Sequence, residues 1–180
     1  MLTFKYMKPT LFLMLGYPGA GKTTAAEVVS KLTGATHLAS DKIRLEMFPN
    51  PQFTPEEHQA LYEAIDARTS ELLKAGKSVI YDANLNRHQH RAEKYRLCKK
   101  IGATSVLLWV KTPEELSKSR AVDYSRSHLW PQGEAADKMF DRLVTVFETP
   151  TEEEPYLELD GTKISENYVQ EKLRNVAIIE

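Results

Sequence analysis

Eight consecutive residues near the amino terminus have the types and spacing needed to bind phosphate. They read Gly16-Tyr17-Pro18-Gly19-Ala20-Gly21-Lys22-Thr23 and satisfy the pattern G-x-x-x-x-G-K-[ST]. Glycines allow a loop whose backbone N–H groups converge on an anion, and the start of a helix adds the positive end of its dipole. In such a loop the lysine reaches the β- and γ-phosphates of a nucleotide, and the hydroxyl after it ligates Mg²⁺. The predicted nucleotide-binding residues are Gly16, Pro18, Gly19, Ala20, Gly21, Lys22, Thr23 and Thr24, with Lys22 also a catalytic candidate and Thr23 a metal ligand.

The segments on either side of this loop supply the strand and the helix that it requires. Residues 11–15 form an apolar run of strand length that ends directly at the first glycine of the loop. Apolar residues then recur at helical spacing over 25–32, and Gly34 can end that helix. This setting favours a functional loop over a chance glycine turn.

A carboxylate and a guanidinium follow the second predicted strand, which covers 36–39. Asp41 and Arg44 are three residues apart, so at the start of a helix their side chains share a face. Behind a phosphate loop, Asp41 is suited to take the proton of a substrate hydroxyl or to hold a metal-bound water. Arg44 is suited to bind an anionic group on the acceptor or to stabilise charge during transfer. Without the loop, the pattern would indicate only an N-cap at Ser40 or Asp41 and a solvated arginine.

The third predicted strand, 78–81, is followed by another carboxylate, Asp82. A carboxylate at this place commonly faces Mg²⁺ through water, which makes Asp82 a candidate for metal and substrate binding. Asn84 and Arg87 are further candidates for contact with the substrate or its phosphates. The alternative is a helix cap at Asn86 and a surface arginine. Whether Asp41 or Asp82 does more for the metal stays open at this point.

Three arginines lie between the fourth and fifth predicted strands. Phosphoryl transfer places negative charge on the γ-phosphate oxygens, and arginines of a mobile lid can neutralise it. Arg120 and Arg126 are the catalytic candidates of a small helical lid over about 113–142, whereas Arg142 fits a solvated helix face. The alternative for each of them is an ordinary charged helical surface.

Short apolar runs alternate with segments of helical periodicity along the whole chain. The predicted fold is therefore a single α/β domain over residues 1–180, with a parallel sheet covered by helices on both faces. Capping-box patterns at 54–57 and 112–115 predict two helix starts. Ligands of open α/β sheets bind beyond the carboxyl ends of the strands, where all the motifs above fall. The predicted strands are 11–15, 36–39, 78–81, 105–110 and 156–159.

The bulk properties narrow the class of protein. The chain has 180 residues and a formal net charge of −1, which argues against broad electrostatic binding to nucleic acid. It has one cysteine, Cys98, and no apolar run of membrane-spanning length, so we expect a cytoplasmic protein. Cys98 and Trp109 are predicted core residues, and the acidic run 152–154 is predicted to be a surface loop. No partner is evident for His37, His58 or His128, and His88 and His90 do not suggest a metal site.

The order of these motifs resembles a family. The loop Gly16–Thr23, then Asp41–Arg44, then Asp82–Arg87, then lid arginines is similar to the small kinase-like P-loop proteins described as AAA ATPases. Related proteins include phage-type polynucleotide 5′-hydroxyl kinases, zeta toxins and chloramphenicol phosphotransferases. The resemblance implies a three-layer α/β/α P-loop NTPase fold with a five-stranded parallel sheet of order 2-3-1-4-5.

The same resemblance implies roles for the site residues. Asp41 would be the general base, Arg44 would contact the substrate, and Lys22, Thr23 and the lid arginines would bind the triphosphate. We expect a kinase that uses ATP and Mg²⁺ to phosphorylate a hydroxyl of a small molecule. The alternatives are a polynucleotide 5′-hydroxyl kinase and a nucleotide-dependent switch with weak ATPase activity. No membrane and no obligate protein partner can be read from the sequence.

Overall fold

The computed structural model describes residues 8–125 and 135–175, with only the backbone described for Tyr124 and Ser125. Arg126 and His128, both considered above, lie outside these ranges. Strands and helices alternate along the chain. They are β1 Thr10–Leu15, α1 Lys22–Thr33, β2 Thr36–Ala39, α2 Ser40–Met47, α3 Pro55–Lys74, β3 Val79–Asp82, α4 His88–Ile101, β4 Thr104–Lys111, α5 Glu114–Ser125, α6 Ala136–Thr145, β5 Tyr156–Asp160 and α7 Glu166–Asn175.

The five strands form one parallel sheet in the order β2-β3-β1-β4-β5, which confirms the predicted fold. Strand β1 lies in the middle, and all six of its residues are buried. Leu13 is in register with Tyr81 on one side and with Leu107 on the other. The carboxyl ends of β1, β2 and β3 therefore meet at one edge of the sheet.

Side chains of β1 alternate between two cores, as expected for a strand between helical layers. Phe12 and Met14 face the core that α1 and α7 cover. Leu11, Leu13 and Leu15 face the core that α3 and α4 cover, and the buried Cys98 lies there as predicted. The two layers of helices hold the phosphate-binding edge of the sheet in place.

The two predicted capping boxes differ in the structure. At α3, the Thr54 hydroxyl accepts the N–H of Glu57 at 3.3 Å, as the pattern requires. The Glu57 carboxylate instead accepts the N–H groups of Gln52 and Phe53. At α5, the Thr112 hydroxyl donates to the carbonyl of Ala20 at 2.8 Å, which ties this turn to the phosphate loop.

Three predictions outside the phosphate loop need correction. The run 152–154 is not entirely a surface loop, because Glu154 is only 3% exposed and forms an ion pair with the buried Arg91. Trp109 is only partly buried, and Nζ of Lys111 lies 4.1 Å from the centre of its ring. Helix α4 is capped at Arg87 rather than at Asn86.

Within the described ranges, no helix combines the length and apolar character needed to cross a membrane.

Candidate functional site

The phosphate loop is packed so closely that two of its glycines cannot be replaced. Gly16 has φ +149°, and a β-carbon there would lie 2.5 Å from the carbonyl oxygen of Val110. Gly19 has φ +74°, and a β-carbon there would lie 2.1 Å from the carbonyl oxygen of Ser117 on α5. The loop is thus clamped between the end of β4 and the first turns of α5, which only glycine permits at these positions.

Lys22 begins α1 and turns back over the loop. Its Nζ donates to the carbonyl oxygens of Gly16 and Tyr17, both at 2.9 Å. Burial lowers the pKa of Lys22, while the carboxylates of Asp82 and Asp41 act to raise it. The ammonium group therefore lies at the mouth of the loop, within electrostatic reach of both candidate carboxylates. Thr23 and Thr24 are exposed on the same first turn of the helix.

The loop after β5 packs directly against the phosphate loop, at the same edge of the sheet. A β-carbon on Gly161 would lie 2.0 Å from Oγ1 of Thr112 and 2.2 Å from the carbonyl oxygen of Ala20. The N–H of Gly161 donates to the carbonyl of Lys111 at 2.8 Å. The sequence reasoning missed Gly161, although Asp160-Gly161 directly after a predicted strand is a turn signal that could have pointed to it.

Asp41 lies in the first turn of α2, and its side chain is exposed. Desolvation by the surrounding protein raises its pKa most strongly, and the nearby Asp82 raises it further. Lys22 and Arg44 act to lower the same pKa. The structure thus brings together two carboxylates and two cations that the sequence placed on three separate segments.

Arg44 lies one turn later on α2, and it is not a solvated surface residue. It is 5% exposed, and its Nη2 donates to Nδ1 of His58 at 3.2 Å. Its Nη1 is 3.9 Å from a carboxylate oxygen of Glu57, and its guanidinium lies 4.9 Å from the ring centre of Phe53. Desolvation, Arg44 and His90 together lower the pKa of His58. This neutral imidazole holds the guanidinium beside Asp41.

Asp82 ends β3 and is 5% exposed. Its Oδ2 accepts a hydrogen bond from Nε2 of His37 on β2 at 3.0 Å. The sequence reasoning found no partner for His37. The strand order could have supplied one, because β2 and β3 are neighbours and Asp82 pairs with Ala39, two residues from His37.

Residues 83–87 connect β3 to α4. The N–H of Asn84 donates to the hydroxyl of Tyr62 at 3.1 Å, and its Oδ1 accepts the N–H of Asn86. Desolvation raises the pKa of Tyr62 to about 12, so its hydroxyl stays protonated. The structure thus joins Asn84 to a tyrosine of α3 that the sequence reasoning did not select. Arg87 is exposed at the start of α4.

The two predicted lid arginines, Arg120 and Arg126, and the predicted surface arginine, Arg142, have different positions. Arg120 is exposed on α5, and its Nη1 donates to the carbonyl of Gly161 at 3.4 Å. Arg142 is exposed on α6. Helices α5 and α6 are joined by an ion pair between Lys118 and Asp141 at 2.5 Å. Arg126 lies between them, outside the described residues.

The oxygen groups at this edge of the sheet fit a magnesium ion. Mg²⁺ prefers oxygen ligands, and nucleotide enzymes supply one or two carboxylates while phosphates supply the rest. Thr23, Asp41 and Asp82 offer a hydroxyl and two carboxylates around Lys22. Among the described residues, no three His, Cys, Asp or Glu side chains cluster as a site made by protein alone. The donor set therefore suits an ion that the nucleotide helps to bind.

A cavity of about 460 Å³ opens beside the phosphate loop, at the ends of β4 and β5. Tyr17 and Trp109 form part of its wall, and Lys111, Asp160 and Thr162 contribute polar groups. Tyr17 also contacts the ring of Phe147, with ring centroids 4.8 Å apart.

The sequence was then compared with known families. A family described as "AAA domain" matches residues 11–150. The chain belongs to the AAA domain family. The match includes the phosphate loop, Asp41, Asp82 and Arg120, and it confirms the resemblance seen in the sequence. A comparison of this AAA domain with curated proteins finds no match.

Solved structures share the fold of this AAA domain. A sugar kinase from Janibacter sp. HTCC2649 has a TM-score of 0.68 and 20% identity, covering 95% of each chain. The Mycobacterium tuberculosis APS kinase CysC, solved with AMPPNP and APS, has a TM-score of 0.66 and 16% identity, covering 94% of this chain and 98% of its own. A chain of the Pnkp1/Rnl/Hen1 RNA repair complex has a TM-score of 0.65 and 20% identity, covering 79% of this chain and 45% of its own.

Proposed function

We propose that this AAA domain is a kinase that transfers the γ-phosphate of ATP to a hydroxyl of a small-molecule acceptor. The observation that carries the proposal is the position of Asp41, exposed in the first turn of α2 and close enough to Lys22 of the phosphate loop and to Asp82 for their charges to affect its pKa. A nucleotide switch needs the phosphate loop and the metal ligand, but it does not need a carboxylate aimed at an acceptor. The shared fold with a sugar kinase and an APS kinase supports the same proposal.

In the proposed reaction, the acceptor hydroxyl oxygen forms a bond to the γ-phosphorus while the bond from that phosphorus to the β–γ bridging oxygen breaks. Asp41 accepts the hydroxyl proton, and ADP leaves with the electron pair of the broken bond. Lys22 stabilises the charge on the β- and γ-phosphate oxygens. Thr23 and Asp82 would hold Mg²⁺, which neutralises charge on the phosphates when it is bound.

The acceptor side is proposed to lie between α2, α3 and residues 83–87, which are called the acceptor loop from here on. Arg44 has one buried nitrogen, Nη1, without a hydrogen-bond partner, and it lies one turn from Asp41. The Glu57 carboxylate oxygen is 3.9 Å from Nη1, beyond hydrogen-bond distance, so this nitrogen keeps a donor that suits an anionic group on the acceptor. Asn84 and Arg87 are proposed to contact the same substrate. The cavity beside Tyr17 is the proposed site for the nucleoside, with Arg120 and Arg126 acting from the lid.

One observation favours a polynucleotide 5′-hydroxyl as the acceptor. Two exposed cations, Lys42 and Arg87, flank the acceptor residues. Such a local basic rim is compatible with the net charge of −1. A polynucleotide acceptor predicts transfer that falls steeply as salt rises, whereas a small acceptor predicts a weaker salt dependence.

The test is transfer from γ-labelled ATP with Mg²⁺ to a panel of hydroxylated metabolites and to a 5′-hydroxyl oligonucleotide. The Asp41→Asn variant is the control, since it keeps the shape of the side chain and removes the base. Label that reaches one acceptor, and falls by about 10²–10⁴-fold in the control, supports the kinase and names its acceptor class. A protein that binds ATP, transfers no label to any acceptor and hydrolyses ATP slowly at the same rate in the wild type and Asp41→Asn would support the switch instead.

A further inference from the structure

The segment that joins α6 to β5 contacts both sides of the proposed site. The ring of Phe147 packs edge-on against Tyr17 of the phosphate loop. The next residue, Glu148, donates its N–H to the carbonyl of Asn86 at 2.8 Å, and its carboxylate accepts the N–H of His88 at 2.5 Å. Two consecutive residues therefore connect the phosphate loop to the acceptor loop.

A buried guanidinium supports the acceptor loop from inside the protein. Arg91 is 0% exposed, and its Nη1 donates to the carbonyls of Leu85 and Asn86 at 3.0 and 3.2 Å. Its Nε and Nη2 donate to the two carboxylate oxygens of Glu154 at 2.7 and 2.8 Å. A bidentate pair of this kind gives the guanidinium a single orientation, and its remaining donor therefore fixes the positions of the two loop carbonyls.

Glu154 is itself held by α4. The Tyr95 hydroxyl donates to Oε1 of Glu154 at 2.7 Å, and Nδ1 of His88 lies 3.3 Å from Oε2. The segment 148–154 is thus attached at both ends to the start of α4 and the acceptor loop. The contacts of Glu148, Arg91 and Glu154 do not include the phosphate loop, which packs separately against β4 and α5.

We infer that Glu148 and Arg91 are positioning residues for phosphoryl transfer, which hold the acceptor loop at a set distance from the phosphate loop. The inference rests on the proposed function. Transfer requires the acceptor oxygen and the γ-phosphorus to be aligned closely, and a misplacement of about 1 Å costs on the order of 10²-fold in rate. A residue with a merely structural role would change the stability of the whole domain and leave acceptor binding unchanged.

Glu148→Ala is the most informative variant, because Glu148 is exposed and its loss leaves the core intact. Glu148→Gln keeps an oxygen that accepts the N–H of His88. Glu152→Ala is the matched control, since Glu152 is an exposed glutamate of the same segment. The readout is amide hydrogen exchange of the three variants and the wild type, with Mg²⁺ and a non-hydrolysable ATP analogue.

We expect exchange over 83–90 to be roughly tenfold faster in Glu148→Ala, as follows from losing a hydrogen bond to a charged group. Exchange over 16–25, and its protection by the analogue, should match the wild type. Glu148→Gln and Glu152→Ala should resemble the wild type throughout. With the acceptor identified by the panel above, Glu148→Ala should lower kcat/KM for that acceptor by on the order of 10²-fold and leave the KM for ATP unchanged.

Two results overturn the inference while leaving the proposed function intact. One is a Glu148→Ala variant in which the analogue protects 16–25 normally and the hydrogen-exchange rate over 83–90 equals that of the wild type. The other is faster exchange spread evenly along the chain, which marks a general loss of stability. A wild type that shows no analogue protection over 16–25 contradicts the proposed function itself, and the inference falls with it.

Discussion

Nε2 of His37 lies 3.0 Å from Oδ2 of Asp82, and this contact joins two neighbouring strands at the edge where the phosphate loop begins. The Asp82 carboxylate is almost completely buried, so an imidazole N–H that donates to it offsets much of the cost of removing the charge from water. The histidine also restrains the orientation of the carboxylate, whose charge acts to raise the pKa of Lys22.

We predict that His37→Ala weakens the apparent affinity for Mg²⁺ by on the order of tenfold, because the carboxylate loses the group that orients it. The thermal midpoint should fall as well, since a buried acceptor is left unpaired. The measurement is a Mg²⁺ titration of ATP turnover for the wild type, His37→Ala and His37→Gln, the last of which retains a donor. Identical Mg²⁺ curves for all three proteins would refute a role for His37 at the metal.

The pair between Arg91 and Glu154 predicts a dependence of stability on pH. Burial raises the pKa of Glu154, but hydrogen bonds from Arg91 and Tyr95 and the charge of Arg91 outweigh it, so the pKa lies below the ordinary value of 4.5. A carboxylate with a lowered pKa stabilises the fold above its unfolded pKa and loses that contribution as the pH falls through its folded pKa.

Glu154→Gln should therefore cost about 3 kcal/mol in the free energy of unfolding at pH 7, since it leaves the Arg91 charge buried and unpaired. The difference from the wild type should begin to narrow as the pH falls below 4.5, where the carboxyl of the unfolded wild type becomes protonated, and should keep narrowing until the pH is below the lower pKa of the folded state. Urea unfolding at pH 7 and near pH 4 measures both effects. Glu153→Gln, at an exposed neighbour, is the control and should differ little from the wild type at either pH.

Gly161→Ala should weaken nucleotide binding, although residue 161 lies far from the phosphate loop in the sequence. The added methyl group would lie 2.2 Å from the carbonyl oxygen of Ala20, so the phosphate loop must move. We expect the affinity for ATP to fall by at least about tenfold, in line with the cost of overpacking a close contact.

Gly102→Ala is the control, because φ is +80° there but no atom lies within 4 Å of the added carbon. That variant should lose about 1 kcal/mol of stability and keep its affinity for ATP; equal ATP affinities for both variants would contradict the prediction.

Arg44→Ala should raise the KM for the acceptor by about tenfold to a hundredfold, the range expected for losing a hydrogen bond to a charged group. The KM for ATP should stay within about twofold, because Arg44 lies on α2, away from the loop that binds the phosphates. Arg68→Ala is a matched control, since Arg68 is an exposed arginine of α3 that pairs with Glu46 at 3.3 Å. An Arg44→Ala enzyme with unchanged acceptor KM would exclude Arg44 from the acceptor site.

The positions of the strands and most helices could be predicted because their signals are local. The apolar run before Gly16 and the helical spacing after Thr23 are read within a window of about ten residues. The third predicted strand differs from β3 by one residue at each end, and the predicted fourth strand was one residue too short at each end. Such end residues depend on backbone pairing with a neighbour, which periodicity does not report.

Errors arose where a side chain has a partner far along the chain. Glu154 was predicted to be on the surface because it lies in an acidic run, yet its charge is matched by Arg91, 63 residues away. Thr112 was expected to cap its own helix, and its hydroxyl instead binds Ala20, 92 residues away. Short-range patterns describe what a residue can do locally, and a strong distant partner replaces that local role.

The sequence by itself determined the phosphate loop, the parallel α/β fold and the edge of the sheet where the site lies, because glycine spacing and apolar periodicity are properties of short segments. It also selected Asp41, Arg44 and Asp82 by their distance from strand ends. Only the tertiary structure decided their partners: His37 forms a hydrogen bond with Asp82, and His58 forms one with Arg44. The tertiary structure also decided that Gly161 packs against Ala20 of the phosphate loop. Those contacts exist because the strand order 2-3-1-4-5 brings distant segments side by side.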